Sequence, residues 1–276
     1  MEMEGKMTVN INLNRSFNLN FNKLKLNKST SDRFIELDLL RGFAILGMLF
    51  LHLLWDLDYF GFVPLNQQIY QFQNVVPILF FLLVGICLVV SYNRKIAKPS
   101  YDQKKYNQHC IMRGLKVFSL GMILTTVTLL FMPDRPIFFG VLHCIGFCII
   151  LSALFLKMKP TYTFLIGVTV ILVGIAMTMY PMENPTILHL ATGMHQTNVY
   201  SYTVDYFPIF PWFGICLLGI AMGHWIYKDN KRRYRMPDLS KYKPISAFSW
   251  MGQHSLAIYL LHQPIIAGVL FLFVIL

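Results

Sequence analysis

Charge is scarce and lopsided in this chain. Asp, Glu, Lys and Arg make up 13% of its 276 residues, and 13 acidic side chains stand against 24 basic ones. No stretch carries the mixed polar surface of a soluble domain. The phosphate-cradling G-x-x-x-x-G-K-[ST], the nucleophile elbow G-x-S-x-G and the zinc-binding H-E-x-x-H are all missing, which argues against a nucleotide-driven pump, a serine hydrolase and a zinc protease. Internal repeats, common in transporters, are also lacking. Cysteine is sparse: Cys87, Cys110, Cys144, Cys148 and Cys216 all lie in or beside apolar runs, which excludes an extracellular disulfide framework. Cys144 and Cys148 are one turn apart beside His143, but a metal would want more soft ligands nearby, so no metal is expected.

Long apolar runs are what the chain has instead. Apolar residues make up 55% of it, and seven stretches are long enough to cross a hydrocarbon core of about 30 Å. They lie near residues 37–56, 71–93, 115–132, 137–157, 161–180, 206–227 and 250–275. The third is short. The seventh holds Pro264, which points to a kink or an interfacial start. The expected fold is therefore all-α: a polytopic membrane helix bundle of about seven transmembrane helices over residues 34–276. Residues 1–33 read as a flexible cytoplasmic tail. Their alternation, as in Val9–Asn14 and Phe17–Asn22, has no turn pair to close a hairpin.

Basic residues sort by side under this scheme. Six precede the first span, seven follow the second, two follow the fourth and seven follow the sixth, so 22 of 24 share one face. Arg41 lies within a span and Arg135 on the other face. The positive-inside rule puts the N-terminus in the cytoplasm and the C-terminus outside, in a multi-pass protein of the cell membrane. The net charge of +11 then reflects topology, and nucleic acid is not an expected partner. The outer rim is acidic: Asp58, Asp134, Glu183 and Asp205.

The first span carries ionisable groups that hydrocarbon does not tolerate cheaply. At 100° per residue, Arg41, Ile45, Met48, His52 and Asp56 share one stripe. Such groups face a protein interior or a watery cavity. His52 lies 11 residues beyond Arg41, roughly 16 Å along the helix, in the outer part of the membrane. Asp56, one turn further, is placed to hold the imidazole in one tautomer, making the pair a candidate general base. The competing reading is a polar pair that locks helix packing. Asp38 and Arg41, at i,i+3, either cap the helix N-terminus or meet a phosphate-bearing ligand from the cytoplasm.

Further candidates lie elsewhere. His143 is at a depth that can face His52, or it is a satisfied core group. Asp205 opens the sixth span, as a helix cap or as a contact for an acceptor. His262 and Gln263 sit deep beside Pro264 and are pocket candidates. The segment 181–205, with His189, His195, Tyr200 and Tyr202, is either an ordinary interfacial loop or a cap that recognises a sugar. A chain of buried histidines and carboxylates also suits a transporter or flippase.

Five stretches occur in a telling order: Leu37-Asp38-x-x-Arg41-Gly42, Phe80-Phe81-Leu82-Leu83-Val84-Gly85, Gly140-Val141-Leu142-His143-x-Ile145-Gly146, Phe210-Pro211-Trp212-Phe213-Gly214 and His254-Ser255-x-x-Ile258-Tyr259-Leu260-x-His262-Gln263-Pro264. The set resembles the transmembrane acyltransferases related to heparan-alpha-glucosaminide N-acetyltransferase, and more closely its short prokaryotic relatives. The resemblance covers residues 34 to about 270. It implies an acetyl group taken from cytoplasmic acetyl-CoA and delivered to an amine or hydroxyl of a glycan or glycolipid on the other face. Membrane lipid and acyl-CoA are the other partners, and a homodimer is compatible with the chain. The family's catalytic histidine lies in the outer loop after the first span, whereas no histidine occurs here between His52 and His109. His52 is its natural substitute. On this reading His52, Asp56 and His143 carry catalysis, Arg41 and Asp38 meet the donor, and Asp205, His262 and Gln263 meet the acceptor.

Overall fold

A computed structural model describes residues 34–64, 73–228, 231–234, 237 and 242–275; the expected tail, 1–33, lies outside them. Helices dominate: α1 (Ile35–Tyr59), α2 (Val75–Ile96), α3 (Gln103–Phe131), α4 (Val141–Ser152), α5 (Pro160–Thr178), α6 (Ile187–Thr192), α7 (Ile209–Ile226), α8 (Lys243–Gln253) and α9 (Ser255–Ile275). A two-residue antiparallel ribbon, β1 (Tyr227–Lys228) with β2 (Lys231–Arg232), follows α7. The protein is an all-α polytopic membrane bundle.

Six of these helices are long and apolar enough to cross a membrane: α1, α2, α3, α5, α7 and residues 255–273 of α9. The fourth expected span is the exception, because its helix has only 12 residues, about 18 Å at 1.5 Å per residue. Past Ser152 the chain continues in tight i→i+3 turns. Ala153 N–H donates to the Ile150 carbonyl, Leu154 to Leu151, Phe155 to Ser152 and Met158 to Phe155. Both ends of this segment are fixed against α7. The Val141 N–H meets Asp205 just before α7 begins, and the Leu156 carbonyl meets the His224 ring near its end. The segment therefore runs the length of α7, completing with turns what the helix alone does not span.

Two other boundaries differ from the sequence expectation. Helix α3 starts at Gln103 instead of near 115, because the Asp102 carboxylate accepts the Lys104 N–H at 2.8 Å and caps a first turn that hydropathy passes over. The expected span 250–275 is split at His254, so α8 and α9 are separate helices.

Close backbone contact sets the packing. Helices α2 and α7 run parallel, from the Phe81–Trp212 ring pair (5.2 Å) to the Asn93 amide on the Tyr227 carbonyl (3.1 Å). Between them Gly85 and Gly219 each face a backbone carbonyl, of Cys216 and Leu82, where any Cβ would overlap. The core around this seam holds Phe81, Leu88, Val89, Ile149, Leu156, Phe213, Leu217 and Ile220. Helix α1 runs antiparallel to α2 and is gripped at its basic end by α8, with Gly42 under Phe248 and Gly252 under Asp38. Helix α9 then rises beside α1.

Candidate functional site

The α1–α9 seam gathers four polar side chains in the half of the bundle away from the basic face. On α1, His52 Nδ1 lies 2.9 Å from the Met48 carbonyl one turn back. A carbonyl only accepts, so Nδ1 carries the proton and Nε2 keeps a lone pair in the neutral ring. On α9, His262 repeats this arrangement, with Nδ1 2.6 Å from the Tyr259 carbonyl. The two rings meet edge to face, 4.8 Å between centroids. Asp56 is 1% exposed, and its Oδ1 accepts a 2.8 Å bond from Gln263 Nε2.

Asp56 thus does not hold His52 as the i,i+4 spacing led us to expect. His52 turns back onto its own helix, while Asp56 faces α9 and takes the amide of Gln263. The helical carbonyls, not the carboxylate, fix both histidine tautomers.

Three atoms of this group are buried without a hydrogen bond: Asp56 Oδ2, Gln263 Oε1 and His262 Nε2. All three are acceptors once their neighbours' bonds are assigned. Buried polar atoms in native proteins nearly always find partners, and these three acceptors lie on the hydrogen-bonded pair Asp56–Gln263 and on the residue that precedes Gln263 in α9. Among the described residues, no group of three or more His, Cys, Asp or Glu is arranged to hold a metal ion.

His143 and Asp205 belong to another part of the bundle. His143 Nδ1 accepts the Gly140 N–H at 3.2 Å, closing the first turn of α4, and its Nε2 lies 3.4 Å from Thr125 Oγ1. The Thr125 hydroxyl donates to the Ile137 carbonyl, which leaves its oxygen to accept from Nε2–H. The ring is 1% exposed and packs between Phe118 and Phe139. Its contacts are with α3 and its own helix end, so the expected approach to His52 is replaced by a satisfied capping role. Asp205 Oδ2 accepts the Val141 N–H at 3.0 Å at the same helix start. Burial pushes its carboxyl up to about 6, and the Val141 bond pulls the other way. Asp205 also lies within electrostatic reach of Tyr259, which contacts His262 at 5.6 Å. Asp205 thereby links the α4 end to the α1–α9 seam.

Above this end, the segment expected as a loop or cap is ordered. Thr186 and His189 form a capping box on α6, and Tyr206 Oη donates to the Leu190 carbonyl at 2.8 Å. Leu190, Val199 and Tyr206 make a small apolar cluster of their own.

At the basic end, Arg41 pairs with Asp38 at 3.1 Å, and Gln253 of α8 donates to Asp38 Oδ2 at 3.3 Å. Cys87 of α2 lies against Arg41, with Arg113 of α3 in electrostatic range. Two cations from different helices thus converge where hydropathy showed only Arg41. A second cluster escaped the sequence reading altogether. Glu36, 6% exposed, takes both the Nε and Nη2 of Arg232 at 2.7 and 2.8 Å, together with the hydroxyls of Tyr227 and Tyr234. Nearly 200 residues separate these partners, so no local pattern announces them. Burial is the main cause that drives the Tyr227 hydroxyl well above its usual range.

Comparison with known proteins gives one result. Searches of curated proteins and of solved structures return no significant match. A family model described as heparan-alpha-glucosaminide N-acetyltransferase, catalytic, matches residues 33–264. That range takes in every residue named above at the α1–α9 seam and the basic end, and it exceeds half of the chain. The chain belongs to the family of the heparan-alpha-glucosaminide N-acetyltransferase catalytic domain.

Proposed function

We propose that the protein is a membrane acetyltransferase that moves an acetyl group from cytoplasmic acetyl-CoA to a primary amine of a sugar-containing acceptor on the outer face. Family membership supports the reaction class. The single observation that favours an amine over a hydroxyl is the trio of buried, unpaired acceptors on Asp56, Gln263 and His262. An ammonium brings three N–H donors and a positive charge; a hydroxyl brings one donor and none. Carboxylate, amide oxygen and imidazole together match the first and leave two acceptors orphaned with the second.

The donor side follows from charge. Arg41 and Arg113 stand at the basic end, where the phosphates of CoA have cations to meet. Asp38, held by Arg41 and Gln253, keeps the Arg41 guanidinium in place. The thioester then reaches up the α1 stripe toward His52. The amine nitrogen attacks the thioester carbonyl, the carbon–sulfur bond breaks, and CoA leaves as its thiol. His52 Nε2 serves as the base, and Asp205 lies at the outer edge of the acceptor's approach. His143 has no part in this scheme.

Purified protein given labelled acetyl-CoA and an amino sugar is expected to release CoA and label the amine, and His52→Asn to abolish both. Solute flux across proteoliposomes without donor consumption would favour a transporter and sink the enzyme reading.

A further inference from the structure

Acetylation of an ammonium requires two proton removals from one nitrogen. The first frees the lone pair of R–NH3+ for attack. The second takes a proton from the tetrahedral adduct, which would otherwise expel the amine again. Overall, R–NH3+ and acetyl-CoA give R–NH–acetyl, CoA thiol and one proton. The α1–α9 seam holds two imidazoles in the same state, each with Nδ1–H tied to a helical carbonyl and each with Nε2 as the basic atom. Their surroundings differ. His262 is 7% exposed, its Nε2 is buried without a hydrogen bond, and it precedes Gln263, the partner of Asp56, on α9. His52 is half-buried, one turn nearer the basic end than Asp56, on the side from which the thioester arrives.

Resting on the amine reading above, we infer that the seam is a two-base site in which His262 and His52 each take one proton. His262 removes the first proton from the ammonium held by Asp56 Oδ2 and Gln263 Oε1, leaving a neutral amine. The amine attacks the thioester carbonyl. His52 takes the second proton from the adduct nitrogen and passes it to the departing sulfur as the carbon–sulfur bond breaks. The first proton leaves His262 for the outer face, which closes the balance. The two rings meet edge to face with centroids 4.8 Å apart, so in this scheme one acceptor nitrogen bound beside them serves both bases.

The experiment compares two acceptors at pH 7. One is an alkylamine with a lysine-like pKa of about 10.4, protonated in all but about one molecule in 2,500. The other is methoxyamine, uncharged at that pH. Asparagine at either position retains an N–H where Nδ1 was and removes Nε2. His262→Asn is expected to lower kcat/KM for the alkylamine by about 100-fold or more, and at least about tenfold further than it lowers kcat/KM for methoxyamine. His52→Asn is expected to lower both by about 100-fold or more. Wild type alone gives a second reading: kcat/KM across amines of graded pKa stays nearly flat if the enzyme removes the first proton, and falls about tenfold per pKa unit if only free base reacts. Equal losses on both amines for His262→Asn overturn the division of labour. So does acetyl label trapped on a histidine in the absence of acceptor. If wild type acetylates neither amine, the acetyl-transfer reading itself fails, which is a separate result.

Discussion

Asp205 offers a prediction whose sign is set by geometry. Its carboxyl is half-buried, accepts one N–H from Val141, and has its pKa raised from 3.8 to about 6 by burial. The fold therefore prefers the protonated form. The stability it contributes is complete below the unfolded pKa, near pH 4, and is lost as pH rises through 6. From 3.8 to about 6, at about 1.36 kcal/mol per pH unit, the full swing is about 3 kcal/mol, and solvent screening of a half-buried group reduces it to roughly half. Asp205→Asn keeps an oxygen for the Val141 N–H but does not ionise. Thermal unfolding in detergent, run for both proteins between about pH 4 and about pH 8, is the assay. The wild type is expected to fall behind the variant by about 1.5 kcal/mol across that range, with most of the change between about pH 4 and about pH 6 and a plateau above. Parallel curves for the two proteins would refute the argument that burial dominates at this carboxyl.

Other perturbations test other parts of the bundle. Gly85→Val forces a branched side chain against the Cys216 carbonyl and should cost about 3 kcal/mol or more, read as loss of the folded fraction in detergent. Glu36→Gln leaves Arg232 beside three neutral partners and should lower stability by about 2 kcal/mol; the double variant with Arg232→Leu should recover part of that loss, and additivity would show that the pair is not coupled. Gln263→Leu removes the amide that donates to Asp56 and is expected to raise KM for the amine about tenfold or more while leaving KM for acetyl-CoA in place. Arg41→Ala should do the reverse, raising KM for acetyl-CoA about tenfold with little change for the amine.

The sequence made the membrane class and most helix positions readable because lipid imposes a strong and simple requirement: apolar length. It also flagged His52, Asp56, His262 and Gln263, since ionisable or amide groups inside apolar runs stand out. Their pairing was not readable. Local spacing favoured Asp56 with His52, but an i,i+4 rule knows nothing of a helix 200 residues later that offers an amide. His143 misled for a related reason: a lone histidine in an apolar span looks functional until its two nitrogens are seen on Gly140 and Thr125. The Glu36–Arg232 clamp was invisible because each residue alone reads as an ordinary member of a basic-side rim. Hydropathy fixed where the fourth crossing lies but not that a third of it is turns.

That fourth crossing bears on how the protein is assembled. A helical part of about 18 Å is too short to settle in hydrocarbon alone, and turn carbonyls exposed to lipid tails would be left without donors. The segment is tolerated because α2, α3 and α7 pack around it, and α7 is made some 50 residues later. Membrane insertion of this chain is therefore not a strict N-to-C sequence of independent events. The stretch from 141 to 158 must wait, shielded only partly by α2 and α3, until α7 arrives to close its slot. A chain released before residue 226 would lack that wall, and its fourth segment would have no stable place in the bilayer.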